Sequence, residues 1–299
     1  MSSLKLVDRF HREIKRFRVS ITSECNLNCP YCHHEGNPNP NPHQFTPLEQ
    51  LVQLTPIISK YNISSIKITG GEPLLHPKVV EIVRLFSQIP SVNDVSLTSN
   101  GIFLKKYAVE LKKAGLNRIN IGCDTIYDST YKNLNRIKDG LLLAKKVGIS
   151  PIKLNMVILK DVNEDQFEPL LAFCEEHGFI LQVIELINTN KAFFTKYHYD
   201  LSSLENNIAQ RASKVITRDV QDRKQYTLDS GVVVEFVNPV HNSRFCAKCN
   251  TLRVTNDFQF QPCLNRQDNL VPVGEEIEES LKLAIQRREP FNVRKKNKK

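Results

Sequence analysis

The chain lacks any apolar stretch approaching the roughly 18 residues that a membrane span requires. Residues 1–15 alternate charged and apolar groups and lack the apolar centre of a signal peptide. Also missing are internal repeats and the long aromatic-and-basic stripes that hold single-stranded nucleic acid. Together these absences point to a cytoplasmic globular protein and away from membrane and nucleic-acid partners. They leave open what the positive charge is for. The 299 residues carry 41 Lys+Arg against 32 Asp+Glu, a net +9, which would equally suit a phosphorylated small molecule. Most of these cations are scattered, the exception being a basic tail at 294–299.

Eight cysteines in a chain of this length, with no secretion signal, do not make a disulfide scaffold. Six fall into two tight groups. Cys25, Cys29 and Cys32 have the spacing C-x3-C-x2-C, and Cys246, Cys249 and Cys263 the spacing C-x2-C-x13-C. Cys123 and Cys174 stand alone among apolar residues and read as small buried hydrophobes. Each trio is a ready set of thiolate ligands. A structural zinc would need a fourth ligand, which His33 or His34 could supply to the first trio and His241 to the second. A four-iron cluster held by three thiolates instead leaves one iron free to bind something else.

The chain between the trios has the rhythm of strand and helix in alternation. Strands are predicted at 17–22, 65–69, 94–98, 118–121, 152–158 and 181–186. Helices are predicted from Thr46, at 79–86, 104–113, 139–146 and 165–177. Thr46 as N-cap, Pro47 in the first turn and Glu49 together form a capping box. Six such units argue for a parallel sheet. They are two short of the eight that close a full barrel. The expected fold is therefore an α/β chain with an incomplete (β/α)6 TIM-like barrel over residues 1–190. A C-terminal region, 191–299, would pack on the open side and carry the second cysteine trio. Within it we expect a helix at 201–213, a hairpin at 226–237 turning at Asp229-Ser-Gly231, and a helix at 275–287. The tail from about residue 293 is expected to be disordered.

The local sequence around the cysteines is more specific than their spacing. Cys25-Asn-Leu-Asn-Cys29-Pro-Tyr-Cys32 resembles the signature of the radical S-adenosylmethionine superfamily. Gly70-Gly-Glu-Pro73, at the end of the second predicted strand, resembles that superfamily's methionine-binding segment. The resemblance implies a [4Fe-4S] cluster on Cys25, Cys29 and Cys32 whose free iron chelates S-adenosyl-L-methionine. It further implies that Tyr31 lies beside adenine and that Gly70, Gly71, Glu72 and Pro73 receive the methionine part. By the same resemblance, Thr98, Ser99, Asn100, Lys153 and Asn155 face the cofactor.

Phe245-Cys-Ala-Lys-Cys-Asn-Thr-Leu-Arg-Val-Thr255 and Gln261-Pro-Cys-Leu264 narrow the resemblance to the GTP 3′,8-cyclase family, in its archaeal form. Asp8-Arg-Phe-His-Arg12, Cys32-His-His-Glu-Gly36 and Arg287-Arg-Glu-Pro-Phe291 extend it over nearly the whole chain. It implies a second [4Fe-4S] cluster on Cys246, Cys249 and Cys263 that holds the guanine edge. The implied reaction removes hydrogen from C3′ of GTP, and the ribose radical then attacks C8 of guanine. The product is (8S)-3′,8-cyclo-7,8-dihydroguanosine 5′-triphosphate, the first intermediate of molybdenum cofactor biosynthesis. An electron donor and the next enzyme of that pathway are implied as partners. Arg18, Lys67 and Arg253 are the candidates for positioning the triphosphate, with Arg9, Arg12 and Arg266 behind them. Thr251 stands where the family usually has an arginine, Gly122 where it has a serine, and Asn256-Asp-Phe258 where its turn has a glycine. The Gly-Gly terminus of bacterial relatives is replaced by Lys296-Asn-Lys-Lys299. Two other readings remain: a radical enzyme acting on another nucleotide or a peptide, and a zinc-dependent nucleic-acid-binding module.

Overall fold

The computed structural model describes residues 4–36, 44–127, 131–240 and 242–291. The tail from 293, with Lys298 and Lys299, and His241 lie outside the described residues.

Six strands pair in parallel and in chain order: β1 (Arg16–Ser20), β2 (Ser65–Thr69), β3 (Asp94–Ser99), β4 (Arg118–Gly122), β5 (Ile152–Val157) and β6 (Ile180–Ile184). Helices α1 (Leu48–Val52), α2 (Thr55–Lys60), α3 (Val79–Ser87), α4 (Leu104–Lys113), α5 (Lys138–Lys146) and α6 (Phe167–His177) connect them. Successive side chains of a strand point to opposite faces, and here the two faces differ sharply. Phe17, Val19, Ile66, Ile68, Val95, Leu97, Ile119, Ile121, Leu154, Met156, Leu181 and Val183 form the core with the helices. Arg18, Lys67, Ser96, Asn120, Lys153 and Gln182 alternate with them on the concave face. Parallel strands are normally apolar on both faces. A polar inner face therefore marks a sheet built around a cavity and not around packed side chains.

The chain continues with α7 (Lys191–Tyr197), α8 (Ser202–Arg211), β7 (Ala212–Thr217), β8 (Lys224–Leu228), β9 (Val233–Val237), α9 (Ser243–Ala247), β10 (Thr251–Val254), β11 (Gln259–Gln261), β12 (Val271–Pro272) and α10 (Ile277–Gln286). This region does more than pack on an open side. β9 adds in parallel to β6, with Ile180 opposite Val233, and β10 adds in parallel to β1, with Arg16 opposite Thr251. The parallel core is thus β10-β1-β2-β3-β4-β5-β6-β9, flanked by the antiparallel strands β7, β8, β11 and β12.

Among the described residues no strand pairing closes the sheet, and its two flanks meet through a turn. Gln221, between β7 and β8, donates its N–H to the Lys248 carbonyl at 3.2 Å, and Lys248 Nζ pairs with Asp222 at 3.0 Å. No helix among the described residues is long and apolar enough to cross a membrane.

Three local expectations differ from the structure. The helix from Thr46 has no capping box: Pro47 occupies the N-cap position and the Thr46 hydroxyl donates to the Asn256 carbonyl at 2.9 Å. That helix also breaks between α1 and α2, because Pro56 has no N–H and its ring clashes with the carbonyl four residues back. The helix expected through 213 stops at Arg211, where the β-branched run Val215-Ile-Thr217 continues as β7. In the 255–258 turn it is Phe258 that takes the left-handed conformation (φ 59°), with its ring buried, and neither Asn256 nor Asp257 does. The 229–231 hairpin turns as expected, on Gly231 at φ 87°.

Candidate active site

The strand ends after β1, β2 and β3 are fastened to one another. Gly71 and Glu72 donate their N–H groups to the carbonyls of Thr22 and Glu24, at 2.9 and 2.7 Å. A Cβ on Gly71 would stand 2.2 Å from the Glu24 carbonyl oxygen, and one on Gly70 (φ 150°) 2.4 Å from that of Thr22. The glycine pair is therefore demanded first by the loop that carries the cysteines. Fully buried Glu72 then accepts hydrogen bonds from Leu74 N–H, Ser99 Oγ and Asn100 N–H at 2.9, 2.7 and 2.6 Å. Burial raises the carboxyl's pKa against these three donors. Asn100 Nδ2 donates in turn to Asn26 Oδ1 at 2.8 Å, inside the first cysteine motif.

A cavity of about 380 Å³ runs through the concave face. Cys25, Cys29 and Cys32 line it, with Tyr31, Gly70, Gly71, Thr98, Ser99, Asn100 and Asn155. Arg18, Lys67, Arg253, Cys246, Cys249 and Cys263 line the same cavity. The first trio sits beyond the C-terminal end of β1, while Cys249 lies two residues before β10, which runs parallel to β1. The two trios thus occupy opposite ends of the strands. Glu72, Pro73 and Lys153 do not line the cavity. Glu72 is used up as the fastener just described, Pro73 is buried in the turn it opens, and Lys153 is buried in an ion pair with Glu235 at 2.7 Å.

No three Cys, His, Asp or Glu side chains already converge on a metal position among the described residues. The donor sets nevertheless fit thiolate-held clusters. Burial raises the pKa of Cys25 and Cys29, and the thiols of the first trio act electrostatically on one another, as Cys246 and Cys249 do on Cys263. For Cys32, burial is outweighed by hydrogen bonds from His34, and its pKa falls. Beside these thiols the cavity wall offers polar atoms that no group among the described residues satisfies: Thr98 Oγ1, Asn120 Oδ1 and Asn155 Oδ1 are buried and unpaired. Buried polar atoms ordinarily have partners, so these three suit the polar groups of S-adenosylmethionine. Tyr31 stacks on Tyr131 at 6.3 Å between ring centroids and donates its hydroxyl to Asp124. Cys123 and Cys174 are core residues, as expected.

Arg18 and Arg253 do not stand free. The Glu35 carboxylate takes Arg18 Nε at 2.7 Å and Arg253 Nη1 at 2.9 Å, and Thr69 Oγ1 donates to it at 3.0 Å. Burial opposes the charge on Glu35, but the two guanidiniums hold it far below the carboxylate range. The Lys67 side chain makes no ion pair or hydrogen bond among the described residues, and burial together with Arg118, Arg18 and Arg16 pushes its pKa well down. Arg12 supports the second trio, donating to the Cys246 carbonyl at 2.9 Å. Arg9 and Arg266 lie off the cavity, both paired with Glu289.

Several site residues were not legible in the sequence. Arg288, buried, donates to Cys249 Sγ at 3.2 Å and pairs with Asp8 at 2.6 Å. Arg16 and Arg223 line the cavity but looked like the scattered surface cations around them. Lys132 lies in the loop after β4 and also lines the cavity. Its stem occupies the space that the side chain at position 122 would need: a Cβ there would stand 2.4 Å from Lys132 Cδ. Burial opposes its charge, but Asp124 and the thiols of Cys29, Cys32 and Cys25 raise its pKa overall.

The comparisons agree with this geometry. Residues 19–174 match the family model described as Radical SAM superfamily, and residues 179–299 the one described as Molybdenum Cofactor Synthesis C. A "Probable GTP 3′,8-cyclase" of Methanocaldococcus jannaschii is 41% identical over 297 residues, covering 95% of this chain and 98% of that one. One of Methanocella arvoryzae is 39% identical, covering 96% and 94%. Among solved structures, Streptococcus suis SuiB bound to its precursor peptide SuiA superposes with a TM-score of 0.69 at 16% identity, covering 93% of this chain and 66% of that one. Native anSMEcpe with bound AdoMet gives 0.58 at 16%, covering 89% and 80%. At such low identity these two speak for the fold alone. Fold, cysteine sets and relatives place the chain in one family: it belongs to the GTP 3′,8-cyclases of the radical SAM superfamily.

Proposed function

We propose that the chain converts GTP to (8S)-3′,8-cyclo-7,8-dihydroguanosine 5′-triphosphate, the first step of molybdenum cofactor biosynthesis. The observation that carries this reading is that one cavity has a cysteine trio at each end. In the reading, Cys25, Cys29 and Cys32 hold the radical-generating [4Fe-4S] cluster, and Cys246, Cys249 and Cys263 hold a second one. When bound, the first cluster supplies the electron that cleaves S-adenosylmethionine to methionine and a 5′-deoxyadenosyl radical. The protein's own contribution is placement. Thr98, Ser99, Asn100 and Asn155 orient the cofactor at the strand ends, with Tyr31 beside its adenine. Arg18, Lys67 and Arg253 hold the substrate between the trios. The ring closure is intramolecular, so fixing ribose against base is most of the catalytic task. Glu72 and Pro73 serve by holding the turns, and Lys153 by anchoring Glu235. A cytoplasmic setting, a one-electron donor, hand-over to the next pathway enzyme and a functional division near residue 190 belong to the same reading.

The test is an anaerobic reaction of the protein reconstituted with iron and sulfide, given dithionite, S-adenosylmethionine and GTP. About eight irons per chain, with 5′-deoxyadenosine and cyclised GTP formed in equal amounts, are expected. Cofactor cleavage without GTP conversion would overturn the substrate assignment, and zinc in place of iron would overturn the radical chemistry.

A further inference from the structure

The family arginine missing at position 251 leaves a question of charge. Arg16, Lys67, Arg118, Lys153, Arg218 and Arg223 act electrostatically on one another across the lower half of the cavity. Asp94 and Glu235 oppose them there. These basic groups outnumber the carboxylates, a balance that suits a polyanion such as a nucleoside triphosphate. Arg118 is fully engaged by Asp94, bidentate at 2.7 Å, and Lys153 by Glu235. The members that reach the cavity wall are Arg16, Lys67 and Arg223.

Arg223 is the informative one. Glu235 fixes one end of its guanidinium at 2.8 Å, while the buried Nε has no partner among the described residues. Its backbone position is set by the turn that carries Gln221 and Asp222, both left-handed at φ 61° and 55°. Left-handed non-glycine residues are held only where their surroundings insist. Here Lys248 insists, accepting the Gln221 N–H and pairing with Asp222. Arg223 and Thr251 line the same cavity, so this turn delivers an arginine to the cavity from whose wall the family's own is absent.

We infer that Arg223, with Arg16 and Lys67, forms the triphosphate subsite of this chain and takes over the role of the arginine missing at position 251. The inference rests on the GTP reading above. Its test is equilibrium binding to the reconstituted holoprotein without S-adenosylmethionine, using GTP, GMP and inorganic triphosphate as probes.

Arg223→Ala is expected to weaken GTP and inorganic triphosphate roughly tenfold or more while leaving GMP nearly unchanged, the loss of a charge-assisted pair. Arg223→Lys should recover part of that loss. Adding Thr251→Arg to Arg223→Ala should restore the GTP affinity, which a merely structural role for Arg223 would not allow. In turnover, KM should rise more than kcat falls. Lys146→Ala, on the outer surface, should change neither. Unchanged GTP binding in Arg223→Ala, equal losses for GTP and GMP, or no recovery with Thr251→Arg would each overturn the inference. A wild-type protein that binds triphosphate but makes no cyclised product would instead overturn the GTP reading and leave the polyphosphate site standing.

Discussion

Glu235 concentrates the electrostatics of the cavity floor in one carboxylate. It accepts from Lys153 at 2.7 Å, Gln182 at 2.6 Å and Gln225 at 2.7 Å, and pairs with Arg218 and Arg223 at 3.1 and 2.8 Å. Burial opposes its charge, but Arg223, Lys153 and Arg218 outweigh burial and bring its pKa to about 2. A carboxylate with a depressed folded-state pKa contributes stability that is fully present above its unfolded value, near 4.5. That contribution is lost as pH falls towards 2 and is on the order of 3 kcal/mol. Lys153 works in the opposite direction. Burial, against the pull of Glu235, lowers its pKa to about 8, so the cost of its charge is relieved as pH rises from 8 towards 10.5. Denaturation midpoints between pH 2 and 5 should therefore fall steeply for the native protein. They should fall less steeply for Glu235→Gln, which starts from lower stability at pH 7. A parallel dependence in the two proteins would show that Glu235 is not the source. Position 122 supports a second prediction. Gly122→Ser restores the family's residue and must push Lys132 out of its place, so S-adenosylmethionine binding in a spin-labelled or calorimetric titration should weaken severalfold. Neither residue was conspicuous in the sequence. A lysine in a connecting loop has no spacing that announces it, and Glu235 in a strand alternates as any solvent-facing residue would.

Among the elements, helix α3 shows how a regular segment is read and tested. Its buried side chains Val79, Ile82, Val83 and Phe86 recur at helical spacing and pack into the main core. Phe86→Ala removes a fully buried ring and should lower stability by about 3–5 kcal/mol, visible as a shift in the denaturant midpoint. A shift below 1 kcal/mol would mean that the core collapses around the gap. The βα units and the cysteine loops were legible because apolar periodicity and cysteine spacing are local signals. What was not legible needed the tertiary fold. Thr46 had the residues of a capping box, but its hydroxyl is claimed by the Asn256 carbonyl 210 positions away. The parallel attachment of β9 and β10 was equally hidden, since nothing local to those short strands says whether a neighbour is parallel. Arg18 and Arg253 line the cavity, and the carboxylate that holds them both, Glu35, sits within Cys32-His-His-Glu-Gly36, where no sequence signal marks it.

On the scale of the molecule, the two chain ends are bound together behind the second cysteine trio. Asp8 accepts from Arg12 at 2.8 Å and from Arg288 at 2.6 Å, and these arginines reach the Cys246 and Cys249 carbonyls. Asp8→Ala leaves two buried guanidiniums without their counter-charge, a change that costs several kcal/mol in comparable buried pairs. Reconstituted Asp8→Ala should retain about four irons of the expected eight, with the first cluster still reduced by dithionite in electron paramagnetic resonance. Full iron content would show that the strap is dispensable. Most of the fold was readable from the order of its units. The assembly of N-terminal strap, C-terminal arginine and second trio was not, because it joins residues 280 positions apart. The meeting of the sheet's two flanks has a consequence of its own. Where a closed barrel has a continuous ladder of backbone bonds, this wall has a seam that the 221–222 turn fastens by an amide and by an ion pair that is half in water. Such a pair is weakened by salt, so the seam can part without unravelling a strand. The strength of one side of the cavity wall is thereby set by salt as well as by strand pairing.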